Sequence, residues 1–134
     1  MNLNYSIKEF MAKELITFQL DTPIEAAMES FLTKKISGAP VLDKQGNLVG
    51  VLSEKDCMKT LFEATYYNNL GGFVNEYMST DLKTINIHDT LSNVANQFIK
   101  SRFRRFPVVK GEKLVGQISR RDVLRAVVKL SNEE

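Results

Sequence analysis

The sequence predicts a mixed α/β (α+β) fold made of two tandem copies of a strand-helix-strand-strand-helix unit. Three observations support this prediction: an internal repeat, apolar residues at helical spacing, and paired apolar runs separated by turn residues. The repeat is plainest where Gly50-Val51-Leu52-Ser53-Glu54-Lys55-Asp56 recurs as Gly116-Gln117-Ile118-Ser119-Arg120-Arg121-Asp122. Because a duplicated unit normally packs as two equivalent copies, the chain should carry two related sites, or one site and a relic.

Both copies are expected to follow the same element order. A short strand opens each copy, over residues 15–18 and 82–85. A helix with an apolar stripe comes next, over 24–32 and 91–99, and this stripe indicates core packing. Two hairpin strands follow, 39–42 with 48–52 and 106–109 with 114–118, and a second helix begins at Glu54 and at Arg120.

Helix starts and turn residues predict the boundaries. Thr22 with Glu25 is typical of a capping box, with Pro23 at the first helical position, and Asp89 is the equivalent cap in the second copy. The first repeat is expected over 7–63 and the second over 77–130. The linker is predicted over 64–76, with Tyr66 and Tyr67 packed inside it.

Composition indicates an ordinary globular chain. Of the 134 residues, 43% are hydrophobic and 25% are charged, which suits one compact domain whose halves share a core. No apolar run approaches the ~18 residues needed to span a bilayer, and the start of the chain lacks the pattern of a signal peptide. The only cysteine, Cys57, cannot form an intrachain disulfide, so a cytoplasmic location is expected.

The net charge of +2 conceals an asymmetry between the halves. Residues 1–76 carry 7 basic and 10 acidic side chains (−3), whereas residues 77–134 carry 11 and 6 (+5). Three interpretations remain open: a solvated face, a phosphate-bearing ligand, or nucleic acid. The arginine clusters lie inside the repeated motif, which favours the small ligand.

The Ser-x-x-Asp pattern before each second helix has a structural and a functional interpretation. On its own it is a capping box, in which the Ser hydroxyl and the Asp carboxylate satisfy backbone amides. It occurs twice, however, each time after Gly-x-hydrophobic at a strand end. A helix N-terminus there offers unpaired amides to a phosphate, and a carboxylate one turn on can accept from ribose hydroxyls. Gly50 and Gly116 would let a ligand approach the backbone closely.

With these motifs the chain resembles tandem cystathionine-beta-synthase (CBS) domains, the pair often called a Bateman module. The resemblance covers residues 7–129 and includes the Pro40-Val41 and Pro107-Val108 strands and the opening strands around Thr17 and Thr84. It implies two repeats related by a pseudo-twofold axis, no required cofactor, and a homodimer. It also implies a regulatory ligand that contains adenosine, such as AMP, ADP, ATP or S-adenosylmethionine.

The resemblance implies two composite nucleotide sites. One would combine Ser53 and Asp56 with Thr84 and the backbone at Arg105-Phe106-Pro107. The other would combine Ser119 and Asp122 with Thr17 and Gly38-Ala39-Pro40. Each Asp would hold the ribose, each Ser the phosphate, and the strand before proline the adenine. Arg104 and Arg105 would serve the first site's phosphates, Arg120 or Arg121 the second's, and Phe106 would narrow the first cleft.

Three functions follow from these observations. The preferred one is an adenine-nucleotide sensor that transmits its state to a partner protein. The alternatives are a structural dimerisation module, with Ser53 and Ser119 only as helix caps, and nucleic-acid binding through the basic half. No enzymatic activity, membrane association or metal site is expected, since His88 has no partner at ligand spacing and Cys57 lies on an apolar stripe.

Overall fold

The computed structural model describes residues 2–62 and 71–133, which form two compact units. The central unit comprises the described residues of Ile16–Leu82. The terminal unit comprises those of Met1–Leu15 and Lys83–Glu134. Residues that precede the first repeat's strand therefore pack with the second repeat. Most of the predicted linker, including Tyr66 and Tyr67, lies outside the described residues.

The central unit is a three-stranded sheet with helices. Its strands are β1 (Phe18–Gln19), β2 (Gly38–Leu42) and β3 (Leu48–Ser53), in the order β1-β2-β3. β1 runs parallel to β2, and β2 and β3 form an antiparallel hairpin. Its described helices include α1 (Ile24–Lys34), α2 (Glu54–Cys57) and α3 (Val74–Tyr77), the last of which overlaps the end of the expected linker.

The terminal unit repeats this arrangement, and each strand of its hairpin is one residue longer. After a 3₁₀ turn at Ile7–Glu9 come β4 (Ile85–Asn86), β5 (Arg105–Lys110) and β6 (Lys113–Ser119), in the order β4-β5-β6. Its helices are α4 (Leu91–Lys100) and α5 (Arg120–Asn132). The predicted α+β class and the strand-helix-strand-strand-helix order are confirmed in both units. The opening strands begin at Phe18 and Ile85, three residues later than predicted.

Two predicted helix caps are wrong. The N-cap of α1 is Pro23, and its start has no side-chain cap, because the Thr22 hydroxyl instead accepts from the Gln19 amide (2.9 Å). The N-cap of α4 is Thr90, whose hydroxyl accepts from the Asn93 amide (3.2 Å). The Asp89 carboxylate accepts from the side chain of Asn93, not from the backbone.

The buried apolar residues of the described chain form two clusters, one within each unit. In the central unit the rings of Phe18 and Phe31 meet edge to face at 5.5 Å between centroids. In the terminal unit the N-terminal segment contributes Ile7 and Met11 to the core. Among the helices of residues 2–62 and 71–133, none is long and apolar enough to cross a membrane.

A short segment pairs with the last strand of each sheet and explains the motif glycines. Ala12 exchanges two backbone hydrogen bonds with Gln117 on β6 (2.8 and 2.9 Å), and Ser79 does the same with Val51 on β3 (3.0 and 2.9 Å). A Cβ on Gly116 would lie 2.7 Å from the Ala12 carbonyl oxygen, and one on Gly50 would lie 2.5 Å from the Met78 sulfur. These glycines make room for the protein's own chain, which corrects the expectation of a ligand there.

Candidate functional site

In the central unit, the predicted site residues gather at one end of the sheet. Gly38, the first residue of β2, pairs with Ser53, the last residue of β3. Thr17 directly precedes β1, which runs parallel to β2, so it lies at this same end. Ala39 and Pro40 continue β2 and are buried, which leaves mainly their backbone groups for recognition.

Ser53 and Asp56 form a complete capping box at the start of α2. The Asp56 amide donates to the Ser53 hydroxyl oxygen (3.1 Å), and the Ser53 amide donates to Asp56 Oδ2 (2.9 Å). The other carboxylate oxygen, Oδ1, accepts from Lys59 Nζ (3.1 Å), which also donates to the Tyr77 carbonyl (3.4 Å). The Asp56 side chain is 14% exposed, whereas that of Lys59 is 60% exposed. Oδ1 is thus the oxygen from which a ligand could displace a solvated partner.

The terminal unit gathers its equivalent residues in the same way. Thr84 directly precedes β4, and Arg105, at the start of β5, pairs with Ser119 at the end of β6. Phe106 is fully buried, with its ring stacked on Phe98 at 4.4 Å and tilted against Phe103 at 5.7 Å. The Phe106 side chain therefore fills the core of its own unit, and the expectation that it narrows a cleft is wrong.

Ser119 and Asp122 repeat the capping box at the start of α5. The Asp122 amide donates to the Ser119 hydroxyl (3.1 Å), and the Ser119 amide donates to Asp122 Oδ2 (2.8 Å). Arg125 donates to Asp122 Oδ1, as Lys59 does to Asp56. Sequence reasoning missed both cations, although they stand at equivalent repeat positions one helical turn after the aspartates. That spacing is the signal that could have found them.

The helix N-termini hold fewer free amides than the sequence suggested. The first amide of α2, at Glu54, donates to the Ser37 carbonyl (2.9 Å), and that of α5, at Arg120, donates to the Arg104 carbonyl (3.0 Å). With the capping boxes, three amides at each terminus already have acceptors inside the protein. A phosphate would gain less here from backbone donors than an uncapped helix offers.

The four candidate arginines are in different environments. Arg120 donates from Nε to the Phe103 carbonyl (3.0 Å) and lines a groove between α4 and α5. Arg104 and Arg121 are exposed, and Arg105 is partly buried on β5. The exposed pair has the greatest freedom to meet a phosphate, since Arg's guanidinium presents several donors on a long side chain.

Cys57 and His88 lie outside this arrangement. Burial raises the pKa of the Cys57 thiol, and the nearby carboxylates of Asp56 and Glu54 raise it further. A thiol with a raised pKa is a poor nucleophile at neutral pH. His88 is exposed in the terminal unit, and its amide donates to the Asn86 side chain (2.8 Å). The polar groups that remain at the ends of the two sheets, namely the carboxylates and the exposed arginines, are suited to binding hydroxyls and anions.

Comparisons with known proteins place the chain in a family. The model of the CBS domain matches residues 7–63 and 74–129. The uncharacterized protein MJ1225 of Methanocaldococcus jannaschii is 29% identical over 92% of this chain, which spans 43% of that protein. The chloroplastic CBS domain-containing protein CBSX2 of Arabidopsis thaliana is 28% identical over 98% of this chain and 67% of its own length.

Solved structures agree with this assignment. A crystal structure of CBSX2 in complex with AMP matches with a TM-score of 0.82 at 28% identity, over 95% of this chain and 98% of that one. A structure of CbpB in complex with c-di-AMP, at 20% identity and a TM-score of 0.84, shares the fold. The resemblance drawn from the repeated motifs is confirmed: the chain belongs to the CBS domain family and contains two CBS domains in tandem.

Proposed function

We propose that this chain is a regulatory module that binds adenosine-containing nucleotides and transmits the bound state to a partner protein. The observation that carries the proposal is the duplicated sheet end, where a Ser-Asp pair lies beside the backbone of a strand that begins at Gly38 or Arg105. A relative with 28% identity, CBSX2, has been crystallised with AMP, which supports this ligand class.

The chemistry assigns a role to each group. Oδ1 of Asp56 or Asp122 would accept from the ribose hydroxyls, displacing Lys59 or Arg125, because Oδ2 is held by the capping box. Backbone groups of the strands at Ala39 and Phe106 would read adenine, since both side chains are buried. Thr17, Thr84, Pro40, Pro107 and the arginines complete the proposed set. Which of these residues share one bound nucleotide stays a prediction.

The proposed role is regulation without catalysis. The Ser53 and Ser119 hydroxyls each accept from an amide in a capping box, while Cys57 is buried and burial raises its pKa. The output would therefore pass through protein contacts, as a homodimer or with a further partner. A nucleotide that binds one arrangement of the protein and not another stabilises the first, by ~2.7 kcal/mol when its concentration is a hundred times the Kd.

Two measurements test the proposal. Mass spectrometry of small molecules released by denaturing the purified full chain should find an adenosine-containing nucleotide. Calorimetric titration of nucleotide-free protein with AMP, ADP and ATP should give saturable binding, with GMP as the matched control. No released nucleotide and no heat with any of the three would overturn the proposal.

One observation favours a second candidate, a structural dimerisation module. Both capping boxes are complete without any ligand, so the Ser-Asp motif has a sufficient structural role. In that case aspartate variants would lose stability and would have no binding to lose. Nucleic-acid binding remains a weaker alternative, which predicts steep salt dependence and no preference for free AMP.

A further inference from the structure

One lysine of the central unit joins the capping box of α2 to another helix. Lys59 Nζ donates to Asp56 Oδ1 (3.1 Å) and also to the carbonyl oxygen of Tyr77 (3.4 Å), which is 18 residues further along the chain. Tyr77 is the last residue of α3. An ammonium has three donors, so one lysine side chain can hold both acceptors at once. Lys59 therefore links the proposed ribose-binding oxygen to the end of α3.

The helix that Lys59 reaches is short and depends on its contacts. α3 has only the four residues Val74–Tyr77, and so short a helix is not stable by itself. At its start, the Val74 amide donates to the Thr22 carbonyl (2.8 Å). The last carbonyls of a helix lack donors within it, and a cation beside them is favourable. Lys59 supplies that cation, so its removal should loosen the end of α3.

The end of α3 leads into the segment that closes the central unit. Ser79 follows α3 and exchanges two backbone hydrogen bonds with Val51 on β3 (3.0 and 2.9 Å). The chain leaves the central unit at Leu82. A change at the end of α3 therefore acts on the stretch of chain that leads from the first repeat towards the second.

The Asp56 carboxylate is the stronger of the two acceptors that hold Lys59. An ammonium is attracted more strongly by an opposite charge than by a neutral carbonyl, and the distances of 3.1 and 3.4 Å follow that order. The Lys59 side chain is 60% exposed, so water competes for it. Once ribose hydroxyls occupy Oδ1, the long bond to the Tyr77 carbonyl is too weak to keep Lys59 in place.

We propose that Lys59 is a positioning residue that joins the nucleotide site to α3 while the site is empty, and that a ribose bound at Asp56 Oδ1 breaks this link. The inference rests on the proposed nucleotide binding and adds a route by which the central unit responds to it. Coupling of this kind is reciprocal: if the ligand weakens the link, the link weakens ligand binding by the same factor. Removing the Lys59 ammonium should therefore tighten nucleotide binding.

The terminal unit offers an internal comparison. Arg125 stands at the repeat position of Lys59 and donates to Asp122 Oδ1. Within residues 2–62 and 71–133, the Arg125 side chain donates to Asp122 alone, whereas Lys59 has two acceptors. Arg125 should therefore compete with a ligand as Lys59 does, without a link to a second helix.

Calorimetric titration with AMP tests the competition. The full-length variants carry Asp122→Ala, which removes the proposed ribose acceptor of the terminal unit, so the heat reports the central one. Lys59→Met should lower the AMP Kd about two- to fivefold relative to Lys55→Met, the range expected for an exposed ion pair. Lys55 is exposed on the same helix, so this control removes an equal charge. Lys59→Arg keeps the cation and should leave the Kd unchanged.

Hydrogen exchange, in protein with both aspartates intact, measures the link itself. The Met78 and Ser79 amides both donate to backbone carbonyls, so their exchange reports opening at the end of α3. Lys59→Met should speed their exchange about two- to fivefold in the ligand-free protein. AMP should speed it in the native protein and have no such effect in Lys59→Met. Arg125→Met, the matched control, should exchange as the native protein does.

The outcomes separate this inference from the nucleotide proposal. A native protein that gives no heat with AMP, ADP or ATP refutes both. If the native protein binds AMP and Lys59→Met binds it no more tightly than Lys55→Met, the link is overturned and the sensor function stands. Weaker binding by Lys59→Met would show instead that the ammonium contacts the bound nucleotide. Exchange at Met78 and Ser79 that AMP slows or leaves unchanged in the native protein would also overturn the link.

Discussion

Replacing Asp122 with Ala should weaken nucleotide binding more than it weakens the fold. The two oxygens of the Asp122 carboxylate make different interactions. Oδ2 accepts from the Ser119 amide and completes the capping box, whereas Oδ1 accepts from Arg125, whose side chain is 68% exposed. Replacing the side chain removes both interactions at once, so the loss of stability and the loss of nucleotide affinity must be estimated separately.

The expected loss of stability is small. A lost helix cap costs about 0.5–2 kcal/mol, and the Ser119 hydroxyl still accepts from the amide at residue 122 after the substitution. The ion pair with Arg125 adds at most a few tenths of a kcal/mol, because an exposed partner is well screened. The free energy of unfolding should therefore fall by about 1–2 kcal/mol.

The expected loss of binding is larger. A hydrogen bond to a charged group is worth about 1.5–3 kcal/mol, and a ribose offers two hydroxyls to the carboxylate. The Kd for the affected site should rise by roughly tenfold to a hundredfold or more. Asp56→Ala should behave likewise at the equivalent position.

Calorimetric titration with AMP and urea unfolding of the apo protein measure the two losses. Thr90→Ala is the matched control, because it removes the cap of α4 in the same unit without touching the proposed site. It should cost about 1 kcal/mol of stability and leave the Kd unchanged. Unchanged affinity and stoichiometry in the Asp56→Ala/Asp122→Ala double variant would refute the ribose assignment and leave the capping role alone.

Three further predictions test other parts of the molecule. AMP and ATP should raise the thermal midpoint more than GMP and GTP, because strand backbone groups matched to adenine mismatch guanine; equal shifts would indicate phosphate attraction alone. Gly116→Ala should cost about 1–3 kcal/mol in urea unfolding, since its Cβ meets the Ala12 carbonyl. Gly111→Ala, a control with open space at φ +63°, should cost about 1 kcal/mol. Iodoacetamide should alkylate Cys57 slowly until the protein unfolds, and rapid alkylation of the folded protein would contradict this expectation. Because the pKa of the Cys57 thiol is raised in the folded protein, the free energy of unfolding should fall as the pH rises from the pKa of the unfolded thiol towards that of the folded one.

The sequence predicted the elements of this fold because each repeat carries local signals that agree. The helices α1 and α4 and the hairpins through Gly46 and Gly111 form where expected. Two members of the apolar stripes are exceptions to the predicted core packing, since Leu32 and Ile99 are 76% and 83% exposed. The packing of the N-terminal segment against the second repeat could not be predicted. Residues 2–15 join the second repeat through two isolated bridges, Ser6 with Thr90 and Ala12 with Gln117, and a few core contacts, and such short pairings leave no periodic pattern in the sequence.

The site was predictable in composition and less so in geometry. Ser53, Asp56, Ser119 and Asp122 lie where the motif places them, because a capping box fixes its own local conformation. Lys59 and Arg125 were missed, since a cation one turn after an acid is common on solvated helices. Phe106 was misjudged because alternation along β5 sends its ring into the core, and that depends on which face of the sheet the helices cover.

The repeated motif combines residues with different structural roles. Gly50 and Gly116 are required by the chain that pairs beside them, with no ligand involved. Ser and Asp are sufficient as caps, since each donates or accepts within its own helix start. In the described chain the remaining group is one carboxylate oxygen in each unit, Oδ1 of Asp56 or of Asp122, and its partner is a solvated cation. The fold does not need this oxygen, which occurs twice, each time beside the end of a strand. Selection for ligand binding could therefore act on it without cost to the fold.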